Sequence, residues 1–277
     1  MLSILSKPKK EVPSDSISYS GRETVYIKGL SVTLEHRKIL NSIDLSLNRK
    51  EFTILLGPNG TGKSTLLKAL TGEIKAVGEF AIFGKPRDQW PPEILAKHLG
   101  VLPQSSSLSF NFMTEEVIEL GGIGLTMSNA QLATVVERNM RITDVNHLAQ
   151  RSYPTLSGGE KQRVHLARVL TQLEQSRENK VLLLDEPTSA LDIHHQHTTL
   201  KLARKLATQG ATVVAVLHDL NLAAQYADRI VILNEGDIVA DAEPNQALKK
   251  EIIEAVYHHK VDIIPHPRYR HPVIIAS

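Results

Sequence analysis

The chain contains no cysteine, which removes disulfide frameworks, thiolate nucleophiles and cysteine-ligated metals and fits a reducing compartment. It has no apolar stretch approaching the roughly 20 residues that a helix needs to cross a bilayer, so a role at a membrane has to come through a partner. Strong charge of either sign is also missing: Lys+Arg 32 against Asp+Glu 30 leaves a formal net charge of +2. A chain this close to neutral is not built to coat nucleic acid, and no sustained heptads or basic arm supply another route to it. The opening MLSILSKPKKEVPSDSISYS places a short apolar run before a basic, Pro- and Ser-rich one. A secretory leader has the reverse order, so residues 1–23 are expected to form a mobile extension.

The remainder, 24–277, has the length and the 42% hydrophobic content for a single domain with a sizeable core. Residues 24–34 and 39–47 alternate apolar and polar, as strands with one exposed face do, and predict an antiparallel layer. FTILLG (52–57), KVLLLDE (180–186) and ATVVAVLHD (211–219) are continuous apolar runs, the mark of strands buried on both faces of a parallel sheet. RIVILNEGDIVA (229–240) reads as a hairpin turning at Asn234–Gly236. Between them, about 104–170, Thr114 as a cap with Glu115 and Glu116 behind it, and Ser128 with Gln131 as a capping box, predict an inserted helical subdomain. The expected fold class is α/β: a P-loop NTPase core with a mostly parallel sheet, an antiparallel β layer and that insertion.

GPNGTGKST (57–65) matches G-x-x-x-x-G-K-[ST] between a buried strand and a helix, the context that makes it a P-loop. Gly57, Gly60 and Gly62 let the backbone of Gly57, Pro58, Asn59, Gly60, Thr61, Gly62, Lys63, Ser64 and Thr65 wrap around phosphates. Lys63 supplies charge to the β- and γ-oxygens, and Ser64 is a Mg²⁺ ligand. VLLLDEP ends a buried strand in two carboxylates, which are costly there without a cation. Asp185 would hold the Mg²⁺, directly or through water, and Glu186 would polarise an attacking water as general base.

A second turn, in LSGGEKQR (156–163), also faces a helix N-terminus, where backbone N–H groups and the helix dipole suit an anion, but its Ser-Gly-Gly turn has no lysine. With the P-loop, Gln104 in GVLPQSSS, LLLDEPTSALD (182–192) and His218 in LHDLNLAAQYADRI, it completes five motifs in order across about 24–240. In this the chain resembles the nucleotide-binding subunits of ATP-binding cassette transporters. The resemblance implies that two cassettes meet head to tail and that Ser157, Gly158 and Gly159 of one cap the ATP held by the P-loop of the other. It further implies that Gln104 contacts the metal and the lytic water, that Asp192 lies across the dimer seam, and that His218 senses the γ-phosphate. Where the family usually stacks an aromatic on adenine, this sequence has Leu34. Either Leu34 makes an apolar contact, or His36 or Arg37 stacks instead.

HHQH (194–197) and the histidines at 258, 259, 266 and 271 offer no closed ligand set. His194 and His197, one helical turn apart, read as a solvated helix face rather than a zinc site. A small-molecule kinase has no use for the second turn or for Asp192, and a soluble cassette ATPase acting on nucleic acid or ribosomes usually carries features absent here. Single cassettes of this kind resemble bacterial importers, in which a homodimer at the cytoplasmic face of the inner membrane pairs with two transmembrane permease subunits and, through them, with a substrate-binding protein. SFNFMTEEVIELGG, HDLNLAAQYADRIVILNEGDIVADAEP and TQLEQSRENK resemble the iron-siderophore, cobalamin and heme importer group, and AQRSYPTLSGGEKQRVHLARVL its heme importers.

Overall fold

The computed structural model describes residues 17–104 and 111–277. Most of the expected extension, and the stretch directly after Gln104, lie outside the described residues. Strands are β1 Glu23–Leu34, β2 Arg37–Asn48, β3 Glu51–Leu56, β4 Val77–Ile82, β5 Lys85–Pro86, β6 Leu99–Leu102, β7 Val181–Asp185, β8 Thr212–Val216, β9 Arg229–Asn234, β10 Asp237–Ala242, β11 Val261–Pro265 and β12 Pro272–Ala276. Helices are α1 Lys63–Thr71, α2 Pro92–Ala96, α3 Thr114–Glu119, α4 Asn129–Ile142, α5 Gly158–Gln172, α6 Ile193–Thr208, α7 Leu220–Tyr226, α8 Pro244–Ala247 and α9 Lys250–Tyr257.

The central sheet has the order β10-β9-β3-β8-β7-β6. β3 pairs in parallel with β8 and β9, β7 with β6 and β8, and only β10 runs antiparallel. Every residue of β7 and β8 is buried. That is why these runs are continuously apolar: α5, α6 and α7 cover one face and α1 with the β1–β2 layer the other, so neither face of a strand gains from polarity. β1 and β2 pair in an antiparallel sheet of order β2-β1-β4-β5, and their buried residues largely alternate with exposed ones. The expected strand boundaries hold to within a few residues.

Residues 17–22, expected within a mobile extension, instead pack on the domain. Ile17 is buried, its N–H donates to His98 Nε2 at 3.3 Å and its carbonyl accepts from Asn179 Nδ2 at 2.6 Å. Tyr19 sets its ring edge-on to Phe83, and its carbonyl accepts from Arg49 Nη1 at 3.0 Å.

The inserted helices have a small core of their own in which Val117, Ile118, Met140, Leu148, Tyr153 and Val164 are buried. Ser128 and Gln131 form the anticipated capping box on α4. At α3 the cap shifts by one: Met113 is the N-cap, its N–H donates to Glu116 Oε2 at 2.7 Å, and Thr114 is the first helical residue with its hydroxyl on Arg151 O. The glutamate's reach back to the N-cap amide satisfies an orphan donor and fixes the register. Beyond β10, α8, α9 and the β11–β12 hairpin form a C-terminal unit that sequence periodicity does not single out.

Candidate nucleotide site

The P-loop leaves β3 at Gly57 and enters α1 at Lys63. Gly57 has φ 141° and Gly62 φ 101°, conformations closed to side chains, and an added Cβ would meet Leu233 O at 2.1 Å or Leu40 Cδ2 at 2.6 Å. Both glycines are required by backbone shape and by close packing. Asn59, Gly60, Gly62, Lys63, Ser64 and Thr65 line a cavity of about 530 Å³ together with Gln104, Glu186 and His218. Residues from four separate segments thus converge on one cleft at the C-terminal ends of parallel strands, where open α/β sheets collect ligands. Gly57, Pro58 and Thr61 support the loop from behind, with the Thr61 hydroxyl donating to Pro58 O at 3.0 Å.

Lys63 is 5% exposed, and its ammonium donates to Gly57 O at 2.8 Å and Pro58 O at 2.7 Å. Burial pushes its pKa down, while Glu186 and Asp185 push it up. Asp185, 7% exposed, accepts from Ser64 Oγ at 3.1 Å. Its pKa is raised by burial and, more weakly, by Glu186, against the lowering effect of the Ser64 hydrogen bond. A buried carboxylate beside a hydroxyl, with Gln104 on the same cleft, is an oxygen-only donor set that fits Mg²⁺, which keeps waters and substrate phosphates among its ligands.

Glu186 leaves the strand with φ 51°, in the left-handed region uncommon for a side-chain-bearing residue. Its carbonyl is held by Gln162 Nε2 at 2.9 Å and Ser189 Oγ at 3.1 Å, and its carboxylate meets His218 Nε2 at 2.6 Å. The backbone kink therefore aims an acid into the cleft while α5, through Gln162, pins the peptide behind it. Gln162 lies inside the quoted LSGGEKQR run, yet nothing in its spacing indicates this contact, because its partner comes from a different strand end.

Ser157, Gly158 and Gly159 do not line this cavity. Helix α5 begins at Gly158, with Ser157 as N-cap. The Ser157 hydroxyl accepts from Glu160 N–H at 3.3 Å, and Ser157 N–H donates to Glu160 Oε2 at 2.6 Å. Hydrogen bonding of the Glu160 carboxylate by Ser157, from its backbone N–H first and then its side chain, lowers the Glu160 pKa, with Arg151 and Arg163 adding to the effect. Gly158 and Gly159 are then the first two helical residues, whose N–H groups have no partner within the helix. Asp192 also lies outside the cleft. It caps α6 by accepting from His195 N–H at 2.9 Å, and the His195 ring bridges it to Asp144, with Nδ1 3.0 Å from Asp192 and Nε2 3.2 Å from Asp144. His197 Nδ1 sits 2.7 Å from the Tyr226 hydroxyl.

Of the three residues considered for the base, Arg37 lines the cleft, and Leu34 and His36 do not. Glu35 and His36, both at positive φ, make the tight turn between β1 and β2, and Arg37 and Ile39 just past it line the cleft.

A family profile described as ABC transporter matches residues 40–189. The chain belongs to the ABC transporter family. ABC proteins of high similarity include the hemin import ATP-binding protein HmuV of Photobacterium profundum, 54% identical over 252 residues and 91% of each chain. HmuV of Vibrio cholerae serotype O1 is 53% identical over 258 residues, covering 92% of this chain and all of that one. Among solved structures, a metal-chelate type ABC transporter in an inward-facing conformation superposes with a TM-score of 0.76 at 24% identity, over 93% of this chain and 98% of that one. CbiO1 of Clostridium perfringens gives 0.72 at 24%, over 85% and 94%. These establish the ABC ATPase fold, and membership of the family makes the chain an ATP-binding, ATP-hydrolysing ABC subunit whose hydrolysis is coupled to transport. No helix among the described residues is long and apolar enough to cross a membrane.

Proposed function

We propose that this chain is the motor subunit of a bacterial hemin importer, working as a homodimer bound to two permease subunits at the cytoplasmic face of the inner membrane. A substrate-binding protein would deliver the cargo to the permease. The cargo assignment rests on relatives 53–54% identical over nearly the whole chain, which carry the name of hemin import ATP-binding protein. The observation that carries the mechanism is the division of anion-facing groups between two surfaces. Lys63, Ser64, Gln104, Glu186 and His218 share one cleft, while Ser157–Gly159 and Asp192 stand outside it.

In this reading the P-loop amides and Lys63 bind the triphosphate, and Arg37 faces the base end of the cleft. Ser64, Asp185 and Gln104 would hold Mg²⁺, which offsets charge on the phosphate oxygens when bound. Glu186 takes a proton from the attacking water, and His218 orients that carboxylate through the 2.6 Å contact and meets the γ-phosphate. A second cassette supplies the Ser157 hydroxyl and the Gly158 and Gly159 N–H groups to the same γ-phosphate, so ATP holds the dimer closed. Hydrolysis removes the group both surfaces share, and the dimer opens.

Reconstitution with a cognate permease in vesicles tests the proposal. ATP-dependent uptake of hemin into vesicles is expected. Uptake of a ferric siderophore or cobalamin in its place would reassign the cargo and leave the mechanism standing.

A further inference from the structure

The first peptide of the P-loop is held from outside the nucleotide cleft. Gly57 N–H donates to the hydroxyl of Tyr257, at 3.0 Å and across 200 positions of sequence. On its other side, Gly57 O accepts from Lys63 Nζ at 2.8 Å. Gly57 is thus gripped at both its peptide groups, one by α9 and one by the lysine aimed at phosphate. A glycine has the softest backbone of any residue, so the orientation of this one depends on what grips it.

Tyr257 is itself well supported. It ends α9, whose Ile253 and Val256 are buried in the main core. At His258, φ 53°, the chain turns into β11. Lys250 pairs with Asp262 at 3.1 Å, and Glu254 accepts from Val261 N–H at 3.1 Å, tying helix to hairpin. Asn221 then clips the hairpin from α7: its Nδ2 donates to Ile274 O at 3.0 Å and its Oδ1 accepts from Ile274 N–H at 2.8 Å. Because α7 starts directly after His218 and Asp219, the same C-terminal unit braces both the P-loop and the segment bearing the candidate γ-phosphate sensor.

We propose that Tyr257 is a positioning residue for nucleotide binding: its hydroxyl fixes the Gly57 peptide so that the P-loop is preorganised for a triphosphate, and the α9–hairpin unit holds that hydroxyl in place. Burial raises the Tyr257 pKa to about 12, so the oxygen stays neutral and available as an acceptor throughout the working range. The inference rests on the P-loop being the triphosphate cradle.

Three variants of the full-length chain separate the possibilities, with affinity for a fluorescent ATP analogue, kcat and Tm measured for each. Tyr257→Phe keeps the ring and removes the acceptor. One hydrogen bond is worth a factor of about two to twelve in an equilibrium, so the Kd rises about threefold to tenfold while kcat falls by less and the Tm stays near that of the parent. Tyr226→Phe removes a buried hydroxyl that touches His197 instead and leaves the Kd unchanged. Lys63→Ala abolishes binding if the P-loop is the cradle. Parental affinity in Tyr257→Phe, with binding lost in Lys63→Ala, overturns the inference alone, whereas parental affinity in Lys63→Ala overturns the reading beneath it. Native-state exchange of the Gly57 amide in the unmutated protein gives a test independent of any variant's folding. Slow exchange supports the Tyr257 bond, and exchange at the rate of a solvent-exposed amide refutes it.

Discussion

His218 Nε2 lies 2.6 Å from Glu186 Oε1, linking the segment after β8 to the residue after β7 across the mouth of the P-loop cleft. The two strands are neighbours in the parallel sheet, so their C-terminal ends deliver both side chains to the same point. Glu186, 15% exposed at its side chain, is shielded and oriented, while His218 at 43% remains open toward solvent and an incoming phosphate.

Glu186→Gln preserves shape and the contact to His218 while removing the proton acceptor. Hydrolysis is expected to fall by on the order of 10²- to 10⁴-fold with ATP binding retained, trapping an ATP-bound dimer visible by size-exclusion chromatography. A parental rate in the reconstituted transporter would remove Glu186 from the role of base.

Sharing of each site between two chains predicts an asymmetry in mixed dimers. On a Glu186→Gln background, Lys63→Ala on one chain and Ser157→Arg on the other spoil one site twice and leave the second complete, so one ATP is occluded per dimer. Both lesions on one chain damage each site once, and occlusion should drop close to zero. Counting occluded nucleotide in tagged heterodimers decides it, and the reverse pattern would mean that each site lies within one chain.

Coupling to a permease is expected to depend on the exposed face of α3, and the structure shows which glutamate tests it cleanly. Glu116 holds the N-cap amide and Glu115 accepts from Gln150, so reversing either disturbs the helix. Glu119 is exposed at its last turn. Glu119→Lys should cut permease-stimulated ATPase activity severalfold and change that of the free subunit by less than twofold. Glu116→Lys should lower the Tm as well, since losing a helix cap costs about 1 kcal/mol. Equal losses in both assays for Glu119→Lys would argue against a docking role.

His165 is buried against the Tyr153 hydroxyl, 2.8 Å from its Nε2. Burial, with Arg168 adding, pushes its pKa from 6.5 down to about 4. Between those values the unfolded chain binds a proton that the folded chain refuses, so stability rises with pH there. The contribution is complete above pH 6.5, declines as pH falls, and is fully lost below about 4. At 1.36 kcal/mol per unit the difference is on the order of 3 kcal/mol. Urea titrations from pH 7 to 4 should give a shallower loss of stability for His165→Gln than for the parent, and parallel curves would count against the neutral buried imidazole.

The parallel core, the P-loop, the paired carboxylates and the capping box of α4 were all legible in the order of the residues, whereas the cap of α3 lies one residue earlier than its sequence suggests. Each depends on interactions a few residues apart or on a periodic burial pattern: glycines at fixed offsets set a turn, and Ser128–Gln131 closes a cap within one helical turn. Which distant groups meet was settled only when the chain folded in three dimensions. Arg37, and not Leu34 or His36, was brought to the cleft, and residues 17–22 were fixed to the domain by His98, Asn179 and Arg49. Gln162 reached the Glu186 carbonyl, His195 joined Asp192 to Asp144, and Tyr257 took the Gly57 amide. Such contacts link segments tens to hundreds of residues apart, and no local periodicity encodes them. They arise because folding brings strand ends and helix faces to common edges, where a polar side chain is held by whichever unpaired backbone group or charge the packing leaves within hydrogen-bond reach.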